Sequence, residues 1–205
     1  MTVKKVMLGA TLVLGLSVFS LPTLEVSADT EVEPKWLTSE EIDRKFEEIN
    51  VKYGIGEEMA IEDQEFIKTY ADKPMLGISG KDQIQPYKTN SFTKYRTVAG
   101  IEARTWGTAS STHGAWNNTY GANMTTQTFK GNATKLSNTV THTAYGLVGS
   151  GGVGKVFSNS LTSSCNNRKS CKLNKTEKYG ASVAYSNTVV RGTVHYPGGS
   201  FSINP

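Results

Sequence analysis

From Ser91 to the C-terminus no helical period persists, and this limits the fold more than any other feature of the chain. Thr, Ser, Asn, Gly, Val and Tyr dominate the stretch. Short alternating runs cover residues 92–98 and 101–108, separated by Ala99-Gly100, with another at 125–129. A longer pair, 135–147 and 153–162, flanks a glycine-rich turn, and Leu173, 179–185 and 188–196 complete the set. Short runs at near-even spacing, broken by Gly and Asn, predict a mainly β domain, an antiparallel β-sandwich or barrel, over residues 91–205.

Before it, residues 36–73 carry apolar side chains at helical intervals. Ile42, Phe46, Ile49 and Tyr53 share one face, and Thr38 with Glu41 has capping-box spacing. A second helix is predicted over 57–72 from Met59, Phe66, Ile67 and Tyr70, ended by Pro74. Both apolar stripes are narrow, so the helices need a partner surface. The domain reading is therefore an acidic helical segment over 29–74, a linker over 75–90 and the β-domain from 91.

Charge divides along the same boundary. Residues 29–80 hold 14 acidic and 6 basic side chains, and residues 81–205 hold 3 acidic and 14 basic. Balances of −8 and +11 hide inside a net charge of +4. This partition predicts that the helices contact the β-domain as a pro-segment or mask, and that the basic half meets an anionic partner.

Lys4 and Lys5 precede an apolar run over 6–19 that is 14 residues long, and Val26-Ser27-Ala28 offers a small-residue cleavage point. A bilayer-spanning helix takes about 20 residues, so residues 1–28 read as a secretory signal peptide and the product as secreted. Cys165 and Cys171, the only cysteines, close a short loop and are expected to pair as a disulfide in an oxidising compartment, stapling a hairpin tip.

Around that loop Arg168, Lys169, Lys172, Lys175 and Lys178 place five cations in 11 residues, with Glu177 the one acid among them. They are the candidate anionic-surface site, with Tyr179, Tyr185 and Tyr196 as candidate stacking rings. The 135–162 hairpin is a candidate membrane-inserting element. Val140 and Ala144 on one strand and Val153, Phe157 and Leu161 on the other form an apolar side against Ser and Thr. Asn138 and His142 interrupt that side, and a soluble sandwich hairpin has the same alternation.

His113, His142 and His195 show no metal-binding spacing. Glu102 or Glu177 with a histidine is the only acid–base pairing on offer, and no G-x-S-x-G elbow occurs. Residues 149–154 match G-x-G-x-x-G literally, but strand rather than helix follows. No catalytic residue, metal or cofactor is assigned, and no nucleic-acid-binding module is recognised.

The string Tyr179-Gly180-Ala181-Ser182-Val183-Ala184-Tyr185-Ser186-Asn187, with Thr141-His142-Thr143-Ala144, resembles segments of the lactococcin-type β-sandwich bacteriocins. The two pieces stand in the opposite order here, and the resemblance spans about 15 residues. It implies a secreted, cationic, non-enzymatic antibacterial acting at the cell envelope. The expected function is thus a bacteriocin- or toxin-like effector that binds a bacterial envelope polymer or an anionic membrane. The alternatives are a β-hairpin pore-forming toxin, a small extracellular hydrolase and an adhesive matrix protein.

Overall fold

The computed structural model describes residues 37–73 and 87–205. The leader, its cleavage point, positions 29–36 of the acidic segment, the expected helix stop at Pro74 and linker positions 75–86 lie outside the described residues. Helix α1 (Ser39–Lys52) starts at the capping box. Glu41 N–H donates to Thr38 Oγ1 at 3.3 Å, and Thr38 N–H donates to Glu41 Oε2 at 2.8 Å. Helix α2 (Ile61–Tyr70) is shorter than the 57–72 expected, because the chain before it is extended. There Gly56 N–H donates to Lys155 O at 2.8 Å and Met59 N–H to Val153 O at 3.1 Å, an arrangement a helical turn cannot make.

Eight strands follow: β1 (Tyr87–Val98), β2 (Ile101–Thr112), β3 (Asn118–Lys130), β4 (Lys135–Val148), β5 (Gly152–Asn166), β6 (Ser170–Tyr179), β7 (Tyr185–Tyr196) and β8 (Gly199–Ile203). They form two antiparallel four-stranded sheets, ordered β1-β2-β3-β6 and β5-β4-β7-β8. Residues 87–90 pair with 109–112, so strand replaces the end of the expected linker. Residues 180–184, predicted as strand, instead connect β6 to β7, and β8 is an element the sequence pattern does not announce.

The sheets face each other as a sandwich. Ile101 and Ala103 of one pack with Leu136, Val194, Phe201 and Ile203 of the other, and Met124 and Leu173 pack with Val140 and Val190. A polar seam crosses this core. Thr105 Oγ1 lies 2.9 Å from Thr126 Oγ1, Thr126 donates to Asn138 Oδ1 at 2.7 Å, and Asn138 Nδ2 reaches Cys171 O at 3.0 Å. Asn138 therefore interrupts the apolar face of β4 to satisfy hydroxyls of the opposite sheet. Gly192 makes room for the seam: a Cβ there would meet Thr105 Oγ1 at 2.0 Å and Thr126 Oγ1 at 2.3 Å.

The helices add a third layer on the β5-β4-β7-β8 sheet. Phe46, Ile49, Phe66 and Ile67 pack with Tyr145 and Val153 in one cluster. Burying each such side chain stabilises by about 1.5–3 kcal/mol, which offsets the marginal stability of two short helices. Arg191 pairs with Glu47 and Lys88 with Asp72 across the boundary. Lys155, which is buried, donates to Asn50 O near the C-terminal end of α1 at 2.8 Å, where the helix dipole favours a cation. Between the helices Asp63 is only 3% exposed and accepts from Lys45 at 2.8 Å, Lys52 at 2.7 Å and Tyr53 at 2.8 Å. Burial alone would raise its pKa, but these three partners outweigh that and hold it at about 2. Among the described residues, no helix is long and apolar enough to cross a membrane.

Candidate anionic-surface site at the disulfide arch

β5 ends one sheet and β6 ends the other, so the loop between them crosses from sheet to sheet. The Cys165–Cys171 disulfide, with Cα atoms 5.6 Å apart, therefore ties the two edges together and does not staple a hairpin tip as the sequence predicts. Asn167 takes the left-handed turn with φ 51°, a conformation Asn tolerates better than most residues. The arch is pinned to both layers. Asn167 N–H donates to Thr134 O beside β4, and Thr128 N–H of β3 donates to Lys169 O, each at 2.9 Å.

This scaffold exposes all five predicted cations. Arg168 and Lys169 project from the arch. Lys172 and Lys178 alternate with the buried Cys171, Leu173 and Tyr179, which puts them on the outer face of β6. Lys175 lies at the gap between the sheets, where its Nζ donates to Thr162 O at 3.0 Å. A strand advances about 3.3 Å per residue, so Lys172 to Lys178 span about 20 Å of edge. Glu177 does not neutralise them. It accepts from Tyr120 Oη at 3.2 Å and from Asn159 Nδ2 at 3.0 and 3.1 Å. Among the described residues, none of the five forms an ion pair. The acidic helices lie on the other sheet and leave the five uncovered.

The candidate stacking tyrosines lie elsewhere. Tyr179 is buried, Tyr185 packs against the helix cluster and Tyr196 packs with Phe201. The exposed rings are ones the sequence does not single out: Tyr95, Trp116 and Phe129. The strand period of 101–108 puts Arg104 and Trp106 on one face, and the β1–β2 register brings Tyr95 to it by pairing Tyr95 with Arg104.

Val140, Ala144 and Val153 are buried, and Phe157 and Leu161 are half-buried. Val140, Ala144, Phe157 and Leu161 face the sandwich core, whereas Val153 does not share their side as the sequence predicts: a β-bulge opposite Ala144 and Tyr145 shifts the register, and Val153 packs with the helix cluster on the other face of the sheet.

Two of the histidines form an interior chain. His142 Nε2 lies 2.9 Å from Tyr179 Oη, which lies 3.3 Å from His113 Nδ1, while His142 Nδ1 meets Thr188 Oγ1 at 2.7 Å and His113 Nε2 meets Ser186 Oγ at 3.0 Å. Burial, with the neighbouring His113, lowers the His142 pKa to about 3, and burial lowers that of His113 as well. Glu102 pairs with Lys130 at 3.6 Å and Glu177 with Tyr120 and Asn159, so neither carboxylate meets a histidine. Among the described residues, no group of three His, Cys, Asp or Glu side chains is placed to hold a metal ion.

Comparison with protein-family models, with curated proteins and with solved structures finds no match.

Proposed function

We propose that the protein is a secreted cationic effector of the bacteriocin or toxin type that binds an anionic polymer or membrane of the bacterial envelope through the disulfide arch and β6. The observation that carries this reading is the row of five exposed cations without ion pairs. Their spread along an edge strand suits an extended polyanion better than a point ligand. A guanidinium and ammoniums grip phosphate or carboxylate oxygens. Lysines on an edge strand also keep it from pairing with another sheet, a role that needs no ligand. The acidic helices serve the effector as a clamp on the opposite sheet and not as a cover over the arch. Salt-sensitive binding of the full chain to isolated cell walls or phosphatidylglycerol vesicles, lost in Arg168→Glu/Lys169→Glu, is the test. Equal binding by that variant contradicts the reading.

The alternation of the β4–β5 hairpin, 14 and 15 residues long, supports a second reading as a pore former. Insertion would first have to break the β4–β7 ladder and expose Val140 and Ala144. Dye release from vesicles that a cross-link between β4 and β7 abolishes is its signature, and release that persists in the cross-linked protein removes it.

A further inference from the structure

We infer that the outer face of the β1-β2-β3-β6 sheet is a second binding surface, a platform for the sugar rings of a carboxylated polysaccharide. The inference is argued from residues of β1, β2 and β3; Lys172 and Lys178 of the arch site border the same face, and the reading does not rest on them. Tyr95 on β1 and Phe129 on β3 are 63% and 52% exposed, and their rings stack across β2 with centroids 6.5 Å apart and planes 29° from parallel. Arg104 lies between aromatic faces, its Cζ 4.5 Å from the Trp106 ring and 5.3 Å from that of Tyr95. Its Nε–H donates to Thr93 Oγ1 at 3.0 Å, which fixes the plane of the guanidinium. Across the β2–β3 ladder Trp106 faces Thr125 and Arg104 faces Gln127.

Three chemistries meet here. The exposed rings of Tyr95 and Phe129 can accept the C–H face of a pyranose through dispersion and removal of apolar surface from water. Hydroxyl and amide groups beside them exchange hydrogen bonds with sugar hydroxyls. A stacked, preoriented guanidinium binds a carboxylate through paired N–H donors. An acyl chain would leave Thr125 and Gln127 without partners. Lys172 of β6 lies opposite Thr125 on the same face, so the patch also carries a cation that a phosphate chain could meet, and single-stranded DNA is the competing polyanion in the test.

The test uses the full chain and polygalacturonate, with a neutral gluco-oligosaccharide, single-stranded DNA and phosphatidylglycerol vesicles as comparators. Wild-type protein binds polygalacturonate with a change in tryptophan fluorescence that survives Trp116→Phe. Tyr95→Ala and Trp106→Ala each weaken binding about tenfold or more, and Trp106→Phe recovers most of it. Tyr95 is the surer variant, since its exposed ring can be removed with little effect on folding, and an unchanged melting temperature verifies this. Arg104→Gln lowers affinity for polygalacturonate and leaves any affinity for the neutral oligosaccharide unchanged. Absence of wild-type binding, unchanged affinity in folded Tyr95→Ala, or DNA or vesicle binding that depends on these rings more than polygalacturonate does would overturn the inference. Loss on Arg168→Glu/Lys169→Glu with Tyr95→Ala unchanged assigns binding to the arch alone. The reverse pattern supports the platform and counts against the arch.

Discussion

Asp72 and Ser186 exchange two backbone hydrogen bonds, Asp72 N–H to Ser186 O at 2.8 Å and Ser186 N–H to Asp72 O at 2.9 Å. The chain leaving α2 is thereby stitched to the start of strand β7. Ile55 and Glu58 make similar bridges to β5, and Phe46 and Ile67 fill the layer between. The segment is thus held by backbone hydrogen bonds and apolar burial as well as by side-chain charge.

The helical layer therefore unfolds with the sheets. Ile67→Ala removes a fully buried side chain and should cost about 2–5 kcal/mol. Far-UV and near-UV circular dichroism followed through urea unfolding should give coincident transitions in both wild type and variant. Helical signal lost well before the sheet signal would show that the helices are a separable cover.

Acid destabilises the fold through its interior histidines. His142 has a folded pKa of about 3 against an ordinary 6.5, so the unfolded chain binds the extra proton. The stability held by neutral His142 is complete above pH 6.5 and is lost progressively as the pH falls towards 3. At about 1.4 kcal/mol per unit the loss across that window is of order 5 kcal/mol. His113 shifts in the same direction and adds to it. Asp63 contributes below its ordinary value, its stabilisation fading as the pH falls through about 2. Urea midpoints measured from pH 7 to pH 4 should fall steadily, and His142→Gln should flatten the slope while lowering stability at pH 7. A variant with the wild-type slope would acquit His142.

Much of this architecture could be read from residue spacing. The capping box at Thr38 and Glu41 and the alternation along β4 depend on neighbours in sequence, and both appear where expected. What failed depended on distant partners. Residues 57–60 have helical composition but lie extended, because Glu58 bridges to Gly154 and Met59 N–H donates to Val153 O, about 95 residues later. The Cys165 loop looks like a hairpin tip, and only the sheet order reveals it as an arch between layers. His142 and Asn138 break an apolar period that, in isolation, suggests a membrane hairpin. Their partners, Tyr179 and Thr126, lie on the opposite sheet. The five cations were legible from local density. The cluster of Arg104, Trp106 and Tyr95 was not, since it needs the register of two strands.

The disulfide joins the two sheets at the point where the cations project, so its loss should have two consequences. Cys165→Ser/Cys171→Ser should lower stability by about 2 kcal/mol, the closure entropy of a small loop. It should also weaken binding to anionic surfaces severalfold, because Arg168 and Lys169 lose their fixed presentation. Chemical denaturation and vesicle co-sedimentation read the two separately. Full affinity in a folded but measurably less stable variant would separate the arch geometry from binding.

The most direct measurement is the affinity of the full chain for phosphatidylglycerol vesicles and isolated cell walls across a series of salt concentrations, in wild type and in Arg168→Glu/Lys169→Glu. Both substitutions lie on exposed residues without ion pairs, so stability should stay within about 0.5 kcal/mol of wild type. An affinity that falls steeply with salt in the wild type, and is at least about tenfold weaker with a shallower salt dependence in the variant, is the expected result. Equal affinity and equal salt dependence in the two proteins would show that the arch does not hold the anionic partner.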